Sequence, residues 1–151
     1  MGAYAENTTV DSAKSRVEIE RTVTRYGATS FAYGTDESGT AMIAFKMRDR
    51  RVRFSLALPR REEFRLTETG RTRTASSQEA AYEQAVRQRW RALALVVKAK
   101  LEAVESGITE FEQEFGMFIL MPDGRTVYEH TQPGIEAAYL LGVTTPLLEL
   151  E

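Results

Sequence analysis

The sequence predicts an α+β domain, on three observations. Residues 41–58 alternate apolar and polar side chains, as strands with one wet face do. Residues 76–107 place apolar side chains three and four apart, as a long helix does. Turn residues, among them Gly27, "TDESG" and "MPDG", separate these segments at short intervals. At 151 residues the chain suits one domain, 1–151, with the order α-β-β-β-α-α-(β)-α.

The first helix is expected to start after Asp11 or Ser12, either of which can cap it, and to end at Tyr26-Gly27. Its apolar stripe is Ile19, Val23 and Tyr26. Three strands follow as an antiparallel meander. "ATSFAYG" puts Phe31 and Tyr33 on one face, and "GTAMIAFKMR" puts Ile43, Phe45 and Met47 there. "RVRFSLAL" turns Val52, Phe54, Leu56 and Leu58 inward and Arg51, Arg53 and Ser55 outward. The linkers "TDESG" and "RDRR" are short enough for hairpins.

Residues 59–76, "PRREEFRLTETGRTRTAS", show no period and read as a long basic loop, of a kind usually functional or disordered. The long helix opens with a capping box, Ser76-Ser77-Gln78-Glu79, and runs to Ser106-Gly107. Tyr82, Val86, Trp90, Leu93, Val97, Leu101, Val104 and Ile108 form its core stripe. Ala85, Ala92, Ala99 and Ala103 form a second stripe where another helix could approach, and Leu95 reads as exposed. A third helix is expected from Thr109, boxed with Glu112, burying Phe111, Phe115 and Phe118 or Ile119. "RTVYE" reads as a short strand, "GIEAAYLLG" as a last helix, and 143–151 as an acidic tail.

Composition excludes several chemistries. There is no cysteine, hence no disulfide, thiolate nucleophile or Cys-ligated zinc. No apolar run is long enough to span a membrane, and the first 15 residues lack the pattern of a secretory signal, which places the chain in the cytoplasm. Glu6 stands where a myristoylation signal needs Ser or Thr. His130 is the only histidine, and a lone histidine needs partners that converge on it in space. Glu110, Glu112 and Glu114 alternate, so on a helix they do not share one face. The strand "IAFKM" has the flavour of a metal-dependent nuclease, but Ala44 stands where that chemistry needs a carboxylate two residues before Lys46. No phosphate-binding glycine loop or nucleophile elbow is present. The expectation is a protein without enzymatic activity, metal or cofactor.

Charge is the informative feature. Residues 1–45 carry 4 basic and 6 acidic side chains, residues 46–100 carry 15 and 6, and residues 101–151 carry 1 and 10. The net −2 therefore conceals a +9 centre and a −9 end. Such asymmetry predicts either a nucleic-acid contact in the middle or attraction between the two parts within the fold or an oligomer. The candidate contact residues are Lys46, Arg48, Arg51 and Arg53 on the strands, Arg60, Arg61, Arg65, Arg71 and Arg73 in the loop, and Arg87 and Arg91 on the long helix. Arginine's planar fork suits phosphate oxygens. Phe64 and Tyr82 are candidate stacking rings, each with core packing as the plainer reading.

The stretches "RYGATSFAYGTDESGTAMIAFKMRDRRVRFSLALP", "RQRWRALALVVKAKLEAVESGITEFEQEF" and "LMPDGRTV" resemble a family of small proteins of bacteriophages and prophages, notably of actinobacteria. The resemblance implies a phage setting, where small proteins serve DNA metabolism or counter host defences, and it brings no activity, catalytic residue or cofactor with it. Three antiparallel strands followed by a long helix are also similar in outline to the core of ring-forming single-strand annealing proteins, without a shared motif. Double-stranded-RNA-binding domains share the order, but they open their last helix with lysines where this chain has "SSQEAAYEQ". The expected function is binding of nucleic acid, DNA with low sequence selectivity, by a protein able to form a homo-oligomer. The alternative is a module that binds a host or phage protein through its acidic C-terminal third and Leu95.

Overall fold

The computed structural model describes residues 2–148, with side chains described from Ser12 onward. The α+β order expected from sequence is present: helix α1 (Gly2–Arg25), strands β1 (Ser30–Thr35), β2 (Thr40–Met47) and β3 (Arg50–Ala57), then α2 (Ala75–Glu105), α3 (Phe111–Phe115) and α4 (Val127–Leu141). Helix α1 begins well ahead of the Asp11 or Ser12 start expected from capping. No glycine or proline interrupts residues 3–25, so Asp11 lies inside a helix already under way.

The sheet is an antiparallel meander in the order β1-β2-β3. Asp36 ties the first turn: its Oδ1 accepts from the backbone N–H of Ser38 at 3.0 Å and of Thr40 at 2.9 Å. The second hairpin turns on Arg48 and Asp49 alone, both at positive φ (51° and 60°). That is the primed geometry a two-residue hairpin needs, achieved here without glycine.

One face of the sheet is packed by α1 and α2. Ile19 and Val23 of α1, Ile43, Phe45, Val52 and Phe54 of the sheet, and Val86, Trp90, Leu93, Val97 and Leu101 of α2 are all buried together. Trp90 is therefore part of the core, whereas Ile108, expected on the same stripe, is 78% exposed because α2 ends at Glu105 before reaching it. Tyr33 shares the inward register of Phe31 but is exposed on the edge strand, with the Arg16 guanidinium 4.3 Å from its ring centre. Helix α3 closes one end: Phe115 meets Phe45 and Phe54 edge-on, at 6.1 and 6.3 Å between ring centres.

Several boundaries differ from expectation, each for a local reason. Thr74, not Ser76, caps α2, its hydroxyl accepting the Ser77 N–H at 3.2 Å. Glu110 with Gln113, not Thr109 with Glu112, boxes α3, and the Thr109 hydroxyl instead donates to Glu114 at 3.0 Å. The 59–76 segment is built rather than structureless. It contains a 3-10 turn (Arg61–Phe64) and a small hairpin in which Leu66 bridges Thr72, turned by Gly70 at φ 85°.

The largest difference lies at "RTVYE". Only Thr126 pairs, bridging Leu120, and the chain then enters α4 directly. Thr126 and Glu129 form a capping box that starts this helix before Pro133 instead of after it. Pro133 has no N–H for the carbonyl of Glu129, four residues back. Arg125 supplies the missing donor, its Nη2 lying 3.1 Å from that carbonyl oxygen.

Candidate nucleic-acid interface

The outer face of the sheet is built by strand alternation. Ser30, Ala32 and Gly34 of β1 face the same side as Met42, Ala44 and Lys46 of β2 and Arg51, Arg53 and Ser55 of β3. Lys46 stands directly opposite Arg51, and Ala44 opposite Arg53. Lys46 and Arg51 are exposed, and neither makes an ion pair with any described residue. The side chains around them are mostly small, so the surface is flat, open and cationic at the Arg48-Asp49 end.

Arg53 is on this face but is engaged. It pairs with Glu129 of α4 and reaches the Gly124 carbonyl at 3.4 Å, while its Nε is buried without a partner. Hydrogen bonds from the Thr126 N–H and hydroxyl, with the nearby charges of Arg53 and Arg125, hold the Glu129 carboxyl below its ordinary range. Arg48 leaves the face altogether. The positive-φ turn carries it to the α3 end, where its guanidinium lies 5.5 Å from the Phe111 ring centre. Of Lys46, Arg48, Arg51 and Arg53, expected to share the face opposite the core, three do so and Arg48 does not, and of the three Arg53 is already paired.

The loop arginines lie at the other end of β3, because the β2–β3 register runs from Met47↔Arg50 to Thr40↔Ala57. Eight paired residues put the two ends about 23 Å apart. Arg61 is fastened to α2 by a bidentate pair with Glu79 (2.8 and 3.1 Å) and lies 4.3 Å from the Tyr82 ring centre. This hydrogen bonding holds Glu79 below the ordinary carboxylate range and pushes Arg61 up. Phe64 meets Tyr82 edge-on at 6.4 Å, so both candidate stacking rings are packing at the foot of the loop. Arg73 donates to the Ser77 hydroxyl at 3.3 Å. Arg60, Arg65 and Arg71 are exposed and make no ion pair with a described residue.

Arg87 and Arg91 belong to neither group. They line a groove of about 320 Å³ between α1 and α2, with Lys14, Ser15, Glu18, Gln84 and Gln88. That groove is in the helical layer, away from the outer sheet face. The eleven candidates therefore separate into an outer-sheet pair, a loop group at the far end, a groove pair and several side chains already used in the fold.

Sequence reasoning offered attraction between the basic centre and the acidic end but did not name the pairs. Arg50–Glu112 (3.2 Å), Arg53–Glu129 and Lys100–Glu114 (3.3 Å) all join the basic centre to the acidic end. His130, expected on an extended segment, is in α4 with its Nε2 2.8 Å from Asp123 Oδ2. No group of three or more metal-ligating side chains occurs among the described residues, and no described helix is long and apolar enough to cross a membrane. Another unforeseen feature is the end of α4, where Tyr139, Leu140 and Leu141 are 88%, 81% and 72% exposed. In comparisons with known proteins, no family model, curated protein or solved structure matches this chain.

Proposed function

We propose that the chain is a non-enzymatic nucleic-acid-binding protein whose contact is the outer sheet face around Lys46 and Arg51. One observation carries the reading. Two like charges stand directly opposite each other on adjacent strands with no described acid to neutralise them. Such a pair destabilises a sheet, and a phosphate placed between the two removes that repulsion. The flat surface of alanine, serine and glycine lets a phosphate backbone approach closely. No described strand residue of this face is aromatic, although Tyr128 borders it beside Arg53 and Ser55, so binding at Lys46 and Arg51 is through phosphates, with low sequence selectivity and DNA as the expected ligand in the phage setting the resemblance implies.

The test is fluorescence anisotropy of labelled single- and double-stranded oligonucleotides at about 50 and 200 mM salt. A non-specific site of this kind has a dissociation constant of about 10⁻⁴–10⁻⁶ M, and two phosphate contacts weaken it roughly tenfold over that salt range. A Lys46→Ala/Arg51→Ala variant is expected to lose most of this binding, whereas Arg71→Ala, about a strand length away, has a smaller effect. No binding at low salt, or equal binding by the double variant, defeats the reading.

A second reading rests on the exposed Tyr139, Leu140 and Leu141. In it, α4 inserts this apolar end into a groove of a host or phage protein, and the negative charge of the C-terminal third selects a groove with a basic rim. Loss of a purified complex on Tyr139→Ser/Leu140→Ser substitution, with nucleic-acid binding intact, separates the two.

A further inference from the structure

Helix α2 carries a face that no described residue covers. Ala85, Ala92 and Ala99 recur every seven residues, so they drift only about 20° per step around the helix. Leu95 and Val96 flank this line on either side, near the middle of the helix, and are 63% and 45% exposed. The opposite side of α2 is the core stripe, and α1 occupies the side bearing Gln84, Arg87 and Arg91. The uncovered face is thus apolar at its centre and short-chained along its length, a shape that lets a second helix come close.

Charge decides what that helix is. The N-terminal half of the face is edged by Arg89 and Arg91 and the C-terminal half by Glu102, all exposed. At 100° per residue, Arg91 and Glu102 fall within about 20° of each other, on one flank of the face. Two copies of α2 related by a two-fold axis near Leu95 and Val96 run antiparallel and bring like flanks together. Each Arg91 then lies level with Glu102 of the other copy. A parallel two-fold pairing brings unlike flanks together, and would set Arg91 of one copy beside the Arg89 flank of the other.

We infer that the occupant is a second copy of this chain, and that the protein forms an antiparallel dimer through the Ala85–Ala99 face of α2. The outer sheet faces, on the far side of each sandwich, remain open in that arrangement. The inference does not depend on the nucleic-acid reading, because it is tested without nucleic acid.

Sedimentation equilibrium across roughly a hundredfold range of protein concentration gives the oligomeric state. The expected result is a rise from one to two chain masses, lost in Leu95→Glu and weakened severalfold in Arg91→Glu, with Arg91→Glu/Glu102→Arg restoring it. The chain has no cysteine, so single engineered cysteines report geometry cleanly. Leu95→Cys is expected to oxidise to a disulfide-linked dimer, and a mixture of Ala92→Cys and Ala99→Cys chains to cross-link to each other rather than to themselves. All three positions are at or near the surface, and circular dichroism confirms that each variant is folded. A single chain mass at every concentration, or a preference for Ala92–Ala92 and Ala99–Ala99 links, overturns the inference.

Discussion

Arg53 and Glu129 lie 76 positions apart in the chain and form an ion pair that fixes the start of α4 against the outer side of the sheet. Glu129 does two things there, since the same oxygen also accepts the hydrogen bonds of the Thr126 capping box. Arg53 is mostly shielded, whereas Glu129 is 39% exposed, which limits the strength of the pair. A double-mutant cycle with Arg53→Ala and Glu129→Ala is expected to show a coupling of about 1 kcal/mol in urea unfolding. The Glu129→Ala single variant is expected to lose roughly another 1 kcal/mol through the cap. Coupling near zero would show that the two side chains act separately.

Acid is expected to loosen the same contacts. The Thr126 hydrogen bonds lower Glu129, the Arg61 pair lowers Glu79, and the Arg125 N–H and His130 lower Asp123. Each group binds its proton less tightly folded than unfolded. The stability it lends is complete above the ordinary values of 4.5 for Glu and 3.8 for Asp, and is lost as pH falls through the lowered ones. Thermal melts are expected to be flat from pH 7 to about 5 and to fall steeply below about 4.5. Glu79→Gln is expected to be less stable at pH 7 and to show a shallower acid limb.

Much of this architecture is legible in the sequence because periodicity reports which face is buried. Ile43, Phe45, Val52 and Phe54 sit inward as their alternation requires, and Trp90 is core because it falls on the stripe of Val86, Leu93 and Val97. Pairing across the fold is not periodic, so the sequence left attraction between the two charged parts as one of two readings without naming the partners. Summed by segment, Arg50, Arg53 and Lys100 contribute to a +9 block. In space they face Glu112, Glu129 and Glu114, so part of the asymmetry is attraction inside the molecule. Arg61 likewise looks like a free loop cation until Glu79, 18 residues on, is brought beside it by the 3-10 turn. One signal was readable. Thr126-x-x-Glu129 is a capping box, and it placed the start of α4 ahead of Pro133 despite the strand-like "RTVYE".

The β2–β3 turn retains avoidable backbone strain. Arg48 and Asp49 both hold positive φ, which costs a residue with a β-carbon and costs glycine nothing. Asp49 makes no ion pair with a described residue. Asp49→Gly is therefore expected to stabilise the fold by about 0.5–1 kcal/mol, less whatever the more flexible unfolded chain takes back. Chemical denaturation that shows a loss of stability would mean the Asp49 side chain supports the turn in some other way.

A second reserve of stability lies at Glu83. It is buried on α2, and its Oε2 has no hydrogen-bond partner. An acceptor removed from water without replacement costs about 1–3 kcal/mol, whereas an apolar side chain of similar volume has no such debt. Glu83→Met is expected to raise the unfolding free energy by about 1 kcal/mol, measured by urea titration with an unchanged slope. A drop of similar size would identify Glu83 as a group held for a purpose other than stability.

Lys46 joins fold and function in one substitution. Opposite Arg51 it repels, and a carboxylate in its place would attract across the same cross-strand distance. Pairs directly opposite on a sheet differ by about 0.2–1 kcal/mol according to sign, so Lys46→Glu is expected to unfold at a higher urea concentration than the parent chain. The same change removes one of the phosphate contacts we propose and sets a negative charge beside Arg51, so anisotropy at about 50 mM salt is expected to show binding weakened by tenfold or more. A variant that is both steadier and unable to bind would mean that the like-charged pair lowers stability in exchange for an anionic ligand. If Lys46→Glu were steadier and bound nucleic acid as well as the parent, the outer sheet face would not be the contact.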